Sequence, residues 1–597
     1  VISPNVIPER AMNMSGKKMS SRTAMVLAVL CVIVVISPLP GEAAATSAVR
    51  DQKMVIEKGR KSLGAASLEY REGVPFLTLS GGYYDMGYQY GALMKDEIRS
   101  AYGEMKKSID AFFTLVPPVL RPMARLIYNC KASKKERTIP EHYREELRGF
   151  ADAAGIDYDT VIRTIFSSDI VGSLSCTSIV ANSRGTMIHG RNLDFPPTTL
   201  GRYPLITEYR PSGRKAYTLV GIVGYLPALS GMNDSGISVT LNISFLVEEN
   251  SKAGMPVGYK IREILESAAS MADIDSLMKG YASDGGWFFT VASAGDKTGA
   301  IYDIAGGDIR KSPLERDFIF VENKYLHDEM NFKYKHIEES AGDFNENRIC
   351  RVAEMGRSVR SVDTMAELLR NTDYYGYRNA HGKFTVNNYE TVQSMIFLPG
   401  SGDIYFSYAP MYAGYARMIS YNRVSGKVSL YRRADPRIDG ADVRDLLAAA
   451  DRFYADPLGA LKEIRPDQAN LLQINFAYLM WNFDHDLCDL VKLVPAIDRF
   501  LARYPDDASL IKIKAEALMG AGRYAEAVPL LEEGLKSRIA APGDTMKLHA
   551  LMARACRKIG KSEQASLHAR EALDMLSRYR LNDAQKKLKR ELERIKR

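Results

Sequence analysis

Cys176 opens the stretch CTSIVANSRGTMIHGRNLDF, which places a thiol, a histidine, an arginine and a carboxylate in one short alternating run. Alternation broken by Asn, Ser, Arg and Gly reads as a β-hairpin. A turn at Ser183-Arg184 pairs Val180 with Met187, Ser178 with His189 and Cys176 with Arg191. Directly opposed side chains share a face about 4.5 to 5.5 Å apart, so this register delivers a guanidinium to the thiol. A neighbouring cation lowers a thiol's pKa and populates the nucleophilic thiolate. Asp194, just beyond Arg191, is placed to orient the arginine or a cationic amine.

A nucleophile also needs a base. His189 lies on the Cys176 side of the expected hairpin but faces Ser178, which favours a packed residue over a catalyst. Cleavage between Ser175 and Cys176 supplies another base, the new α-amino group, whose reference pKa of about 7.7 to 8.0 suits proton shuttling near neutral pH. The small residues Gly172, Ser173 and Ser175 leave that peptide open to attack by the Cys176 thiol. Cys176 is thus expected to become an N-terminus, in the manner of the threonine-plus-amine nucleophiles.

The blocks CTSIVA and HGRNLDF resemble the nucleophile hairpin of acid ceramidase and N-acylethanolamine acid amidase, relatives of choloylglycine hydrolases and penicillin V acylases. LSGGYYDMGYQYG resembles the segment that precedes the nucleophile in the peptidase family C45 acyltransferases. The resemblance runs in scattered blocks from Pro75 to Ala409. It implies an N-terminal-nucleophile hydrolase in which Cys176 is nucleophile and base, Arg191 its stabilising cation and Asp194 the partner of the α-amine. SGISVTLN is similar to the strand ending in the family's oxyanion-hole residue and implies Asn242. FIFVENKY implies Asn323, although Lys324 follows where the family often has histidine or tryptophan, and NENRICR implies Arg348 as the downstream arginine. Strand-end asparagines bonding their own backbone, and a surface ion pair for Arg348, are the structural alternatives.

Several elements must position these groups. VPFLTLSGGYYDMGYQYGAL reads as a strand from Pro75 to Leu79, a Gly81-Gly82 turn and a helix from Tyr83. Gly87 and Gly91 share one face of that helix and allow close backbone packing; they do not form the phosphate-cradling GxGxxG. Helical patterning continues to about Phe166, and hairpin-like runs with intervening helices, such as Val257 to Ser270, follow to about Leu430. The fold class read from this is layered α+β, and the resemblance implies that it is a four-layer αββα N-terminal-nucleophile sandwich. After Asp435 the chain turns helical, and AEALMGAGRYAEAVPLLEEGL from Ala515 aligns with ARACRKIGKSEQASLHAREAL from Ala553, 38 residues on. Recurrence at fixed period resembles the tetratricopeptide helix pair, closed by a capping helix with Leu588, Leu592 and Ile595 on one face; a plain helical bundle is the alternative.

The domains expected are a signal peptide at 1–45, a pro-segment at 46–175, the catalytic core at 176–435 and the repeat domain at 436–597. The signal rests on Lys17, Lys18 and Arg22 before a 13-residue apolar run, Ala24 to Ile36, which falls short of the roughly 20 residues of a membrane span. Met12, Met14 and Met19 are all candidate starts, with 1–11 outside the translated chain in that case. Beyond the signal lie Cys130, Cys176, Cys350, Cys488 and Cys556, an odd count with no zinc-like spacing. With 80 basic against 72 acidic residues, a net charge of +8 gives no reason to infer a nucleic-acid partner.

The function expected is an exported, autoprocessing cysteine hydrolase of linear acyl amides, N-acyl amines or N-acyl amino acids, with no cofactor, no metal and no membrane span after signal removal. Its partners are a small N-acyl amide and, at the helical repeats, a protein. An acyltransferase moving the acyl group to an amine, and a non-catalytic scaffold binding partners through the repeats, are the rival readings.

Overall fold

The computed structural model describes residues 48–167, 175–244, 254–283, 285–335, 343–537 and 540–597. The expected signal peptide and the small residues Gly172 and Ser173 lie outside the described residues.

The first segment is a meander of β1 (Val55–Glu57), β2 (Arg60–Leu63), β3 (Ala66–Arg71) and β4 (Val74–Gly81), then helices α1 (Tyr83–Leu93), α2 (Lys95–Thr114), α3 (Arg121–Glu136), α4 (Glu141–Ala154) and α5 (Tyr158–Ile165). The glycine face of α1 packs on α4. A Cβ at Gly87 would stand 1.9 Å from the Glu146 carbonyl oxygen, and one at Gly91 2.5 Å from that of Phe150. Gly149 of α4 answers with the same closeness to Tyr84. Gly87→Ala should therefore lower stability by about 1 to 3 kcal/mol or more, read as a fall in the urea midpoint, because neither backbone can yield.

The nucleophile hairpin is β5 (Ser175–Ser183) and β6 (Thr186–Asp194). Then come β7 (Pro204–Pro211), β8 (Tyr217–Ile222), β9 (Ser230–Asn233), β10 (Ile237–Ser244), helices α6 (Val257–Ser267) and α7 (Met271–Met278), β11 (Gly286–Ser293), β12 (Thr298–Ala305), β13 (Asp308–Pro313) and β14 (Phe318–Val321). Helices α8 (Asp328–Tyr334), α9 (Asp343–Gly356) and α10 (Val362–Leu369) lead to β15 (Thr391–Leu398), β16 (Asp403–Tyr408), β17 (Met418–Asn422) and β18 (Val428–Arg432).

These strands make two sheets. One has 11 strands in the order β1-β2-β3-β4-β7-β8-β9-β10-β11-β12-β13, the other seven in the order β14-β5-β6-β15-β16-β17-β18. Val180 and Met187 of the smaller sheet meet Ala292 of the larger between them. On the outer face of the smaller sheet, Ile179, Ala181 and Ile188 pack on Val352, Met365 and Leu369 of α9 and α10. Met86, Tyr90, Leu147 and Phe150 of α1 and α4 belong to the core that covers the larger. The architecture is the four-layer αββα sandwich.

The segment before the nucleophile is part of this sandwich. β4 pairs in parallel with β7, from Phe76 opposite Ile206 to Gly81 opposite Pro211. Glu146 of α4 forms a fully buried ion pair, 2.5 Å, with Arg262 of α6. A chain cut at Cys176 would keep both attachments, since a one-sided loss of a buried charge partner is strongly unfavourable.

The last part is all helical. Gly522 and Gly560, 38 positions apart, both have left-handed φ, +76° and +81°, and each turns one helix into the next: Ala508–Gly520 into Tyr524–Lys536, and Pro542–Lys558 into Ser562–Ser577. Leu588, Leu592 and Ile595 of the final helix are buried, and Glu591 beside them pairs with Arg554 at 2.7 Å. A shared core of Tyr374, Phe384, Tyr389 and Tyr412 with Leu446, Phe453 and Phe476 joins the helices to the sandwich.

Candidate active site

The hairpin turns on Arg184 and Gly185, both at positive φ, 52° and 89°. Two left-handed central residues match the twist of a two-residue hairpin loop, and Gly185 takes the second position without strain. The Asn182 side-chain oxygen accepts from the Gly185 N–H at 2.8 Å. Ser183 consequently faces Thr186, Val180 faces His189, Ser178 faces Arg191 and Cys176 faces Leu193. This corrects the expected pairing of Cys176 with Arg191. The turn sits one residue later, so every partner moves by two, and a two-residue slide leaves each side chain on its original face. Arg191 reaches the thiol diagonally, Nη2 donating to Sγ at 3.1 Å.

Arg191 is 1% exposed. It donates to the carbonyls of Leu229 (2.7 Å) and Leu241, to the Ser230 hydroxyl and to the Cys176 sulfur. Its Nε is buried with no partner, and no carboxylate among the described residues pairs with it. Of the two roles expected of Asp194, to orient Arg191 or a cationic amine, the first does not hold. Asp194 ends β6 and turns the other way, accepting from Ser175 Oγ (2.8 Å), Asn388 Nδ2 (2.9 Å) and Thr391 Oγ1 (2.6 Å), with Arg348 Nη1 at 3.5 Å.

Asn323 and Arg348 meet at the nucleophile's backbone. Asn323, two residues past β14, accepts the Cys176 N–H on Oδ1 at 3.3 Å and donates Nδ2 to the Ile243 carbonyl at 2.7 Å. Arg348 of α9, fully buried, donates to Asn323 Oδ1 (2.7 Å), Asn345 Oδ1 (3.0 Å) and the Cys176 carbonyl (3.1 Å). Arg348 is thus an internal residue at the site rather than a surface ion pair. Asn242 is more distant. Its Nδ2 donates to the Val321 and Glu322 carbonyls, both at 3.1 Å, and its Oδ1 accepts from Ser178 Oγ at 2.6 Å. These contacts hold the end of β14 and do not reach the thiol. His189 is engaged by Ser238 (2.8 Å) and Thr240 (3.0 Å) across the sandwich.

Sequence reasoning missed Ser175 as a ligand of Asp194, and Glu322, Asn345, Asn388 and Thr391 altogether. Glu322, beside Asn323, is fully buried, accepts from Thr177 Oγ1 at 2.6 Å and lies 3.2 Å from Arg348 Nη1. The available signal was the acidic residue inside an otherwise apolar strand end, FIFVEN.

Burial governs the electrostatics. It pushes the Cys176 thiol above its ordinary pKa; Arg191 opposes it and the Asp194 charge adds to it. The sequence-based expectation of a lowered thiol pKa fails in the uncut chain, because desolvation outweighs one guanidinium. Burial likewise lifts Asp194 to about 6, against Arg348 and its hydroxyl and amide donors, and Glu322 to about 8. Burial, then Arg191, lowers His189 to about 3, which keeps its ring neutral.

A cavity of about 330 Å³, lined by Arg60, Arg71, Arg210, Arg423, Glu69 and Glu208 among others, includes none of these residues. A narrow apolar one is lined by Tyr102, Met105, Ile165, Leu200 and Tyr225 with Phe195, the neighbour of Asp194. Among the described residues no cluster of three or more His, Cys, Asp or Glu could hold a metal ion.

Residues 180–409 match the family described as acyl-coenzyme A:6-aminopenicillanic acid acyl-transferase. An uncharacterized protein of Archaeoglobus fulgidus is 25% identical over 256 residues, 38% of this chain and 43% of that protein. The N-acylethanolamine-hydrolyzing acid amidase of Caenorhabditis elegans is 26% identical over 290 residues, 46% of this chain and 77% of its own length. The solved structure of the Caenorhabditis elegans N-acylethanolamine-hydrolyzing acid amidase ortholog is similar over 38% of this chain and 93% of that one, at 22% identity and a TM-score of 0.28. The chain spans less than half of the Archaeoglobus protein. The family match and the amidase relative fall on the region folded as two stacked sheets around a cysteine hairpin, and it is this region that is similar to the amide hydrolases and acyltransferases of the N-terminal-nucleophile superfamily.

Proposed function

We propose that this chain is an exported, self-cleaving cysteine hydrolase of linear N-acyl amides. The observation that carries the reading is Arg191, a buried cation without a carboxylate partner among the described residues, 3.1 Å from the Cys176 sulfur. A desolvated cation is costly unless an anion meets it. The anions this reaction creates beside it, a thiolate and then a tetrahedral oxyanion, meet that need.

In the first stage the Cys176 thiol adds to the Ser175 carbonyl carbon. The C–N bond breaks, the amine takes a proton, and water hydrolyses the resulting thioester. The Cys176 N–H already rests on Asn323, so the amine is released into a site that holds it. In the second stage this α-amine takes the thiol proton, sulfur attacks the substrate carbonyl, the protonated amine leaves, and water frees the acyl group. The oxyanion is assigned to Arg191 and to the Nδ2 donor of Asn323, whose Oδ1 holds the Cys176 N–H and only accepts.

Asn242 takes a different part from the one its sequence suggests. Asn242→Ala should lower turnover and melting temperature together, since two hydrogen bonds that fix the strand end before Asn323 and one from Ser178 disappear. A loss of about 10²- to 10³-fold in turnover at unchanged melting temperature would instead restore a direct oxyanion role.

The substrate is read as an N-acyl amide from the named activity of the Caenorhabditis elegans amidase. An assay of N-acylethanolamines, N-acyl amino acids, ceramides, bile-salt conjugates and acylated β-lactams, with Cys176→Ala as the blank, tests it; no Cys176-dependent release from any of them overturns it. The acyl-transferase description of the matching family supports a second outcome, in which an amine replaces water at the acyl-enzyme. Product analysis with and without an added amine separates the two. The helical region, read as tetratricopeptide-like, is the proposed docking surface for a protein partner.

A further inference from the structure

Two buried carboxyl groups share Arg348 in this site, and they are not equivalent. Asp194 has three neutral hydrogen-bond donors, from Ser175, Asn388 and Thr391, in addition to the guanidinium at 3.5 Å. Glu322 has one, the Thr177 hydroxyl, and Arg348 Nη1 at 3.2 Å. The hydroxyl and the guanidinium both meet Glu322 on Oε2, while Oε1 is buried with no hydrogen-bond partner among the described residues. One cation cannot neutralise two desolvated carboxylates, so the proton goes to the less solvated one. Glu322 is that group, and its proton belongs on Oε1, the oxygen with no donor to meet.

We propose that Glu322 is a positioning residue of this site that works as a neutral carboxylic acid, and that its deprotonation sets the upper pH limit of reaction at Cys176. The proposal rests on the reading of Cys176 as nucleophile. Arg348 Nη1 is divided between the Cys176 carbonyl at 3.1 Å and Glu322 at 3.2 Å. With Glu322 neutral, the guanidinium's charge serves Asp194 and its N–H groups hold the backbone of the nucleophile. Ionised Glu322 would draw Nη1 toward itself and put a negative charge against Thr177, the residue after Cys176, disfavouring the thiolate. The other charged groups facing this cluster are Arg191 at the thiol and Lys335, whose Nζ donates to the Asn323 carbonyl at 2.8 Å. Neither reaches Glu322 by a hydrogen bond. The same order of ionisation follows from burial, which lifts Glu322 to about 8 and Asp194 only to about 6.

The sign for stability is fixed by that order. Folded Glu322 holds its proton from the ordinary carboxylate range up to about 8, where the unfolded chain has lost it. Stability therefore falls as pH rises through this window in the wild type, and Glu322→Gln escapes this part of the fall.

The test uses the purified full chain, iodoacetamide as probe, and the rate of Cys176 alkylation read by peptide mass spectrometry from pH 5 to 10. The ratio of wild-type to Glu322→Gln rates should drop about 10-fold or more between pH 7 and 9.5, the effect of one nearby charge on a thiol. The melting-temperature advantage of Glu322→Gln should widen over pH 5 to 8 and then stay level. Glu322→Ala, which leaves Arg348 and Thr177 facing a void, should lower the alkylation rate further than Glu322→Gln at every pH. A rate ratio and a melting-temperature difference both constant with pH would overturn the proposal. Absence of Cys176 alkylation at any pH, with other cysteines labelled, would remove the nucleophile reading, while the melting-temperature series still decides the protonation of Glu322.

Discussion

Cys176→Ala is expected to run as one chain on a denaturing gel where the wild type runs as two, with the larger wild-type fragment beginning CTSIVA on N-terminal sequencing. Turnover of the responsive amide should fall on the order of 10⁵- to 10⁶-fold, the scale for removing a covalent nucleophile. Both effects come from one atom, because the thiol that attacks Ser175 is the thiol that later attacks substrate. Ser175 and Cys176 are consecutive residues of β5, paired with Asp194 and Leu193. Three side chains grip the bond to be broken: Asp194 holds the Ser175 hydroxyl, Asn323 the Cys176 N–H and Arg348 the Cys176 carbonyl. The two wild-type fragments should stay together under native conditions through the parallel β4–β7 ladder and the Glu146–Arg262 pair. A wild type that is active yet uncut would sink the mechanism. His189 would then be an unpromising replacement, since Ser238 and Thr240 occupy both ring nitrogens and burial keeps its pKa near 3.

The residues legible in the sequence are those whose role depends on local pattern. Alternation placed Cys176 and Arg191 on one face, and the i, i+4 glycines of α1 declared a close helix contact that α4 completes. The family resemblance added Asn323 and Arg348, which no spacing rule connects to Cys176. What stayed hidden depends on distant chain or on burial. Register followed the turn type at Arg184-Gly185, a choice between neighbouring dipeptides that hydrophobic alternation alone does not make. Asn388 and Thr391 reach Asp194 from 194 and 197 residues away, so only the assembled sheet brings them in. Of the four strands before α1 the sequence pattern showed one, β4, and all four form an edge of the larger sheet, joined to it by a parallel pairing across more than a hundred residues. The thiol's ionisation escaped for the simplest reason, that desolvation is a property of the fold and has no signature in CTSIVA.

Arg191→Ala should slow alkylation and turnover at Cys176 by about 10- to 1,000-fold at any pH below the thiol's pKa, the range for losing one opposite charge within a few ångströms. Stability will fall too. The Leu229 and Leu241 carbonyls and the Ser230 hydroxyl lose their donor inside the sandwich, at about 1 to 3 kcal/mol for each buried group left unpaired. Loss of activity in the alanine variant is therefore ambiguous by itself, and the pH profile of Cys176 alkylation separates the causes. A chemical role moves the apparent thiol pKa upward in a protein that is still folded at the assay temperature; a structural role lowers the plateau and leaves the midpoint in place. Arg191→Lys sharpens the distinction. Its single ammonium can serve the sulfur or the Leu241 carbonyl but not the whole set, so it should restore much of the midpoint while recovering little of the melting temperature. An unshifted midpoint in both variants would show that the fold, and not the thiol, is what the buried guanidinium serves.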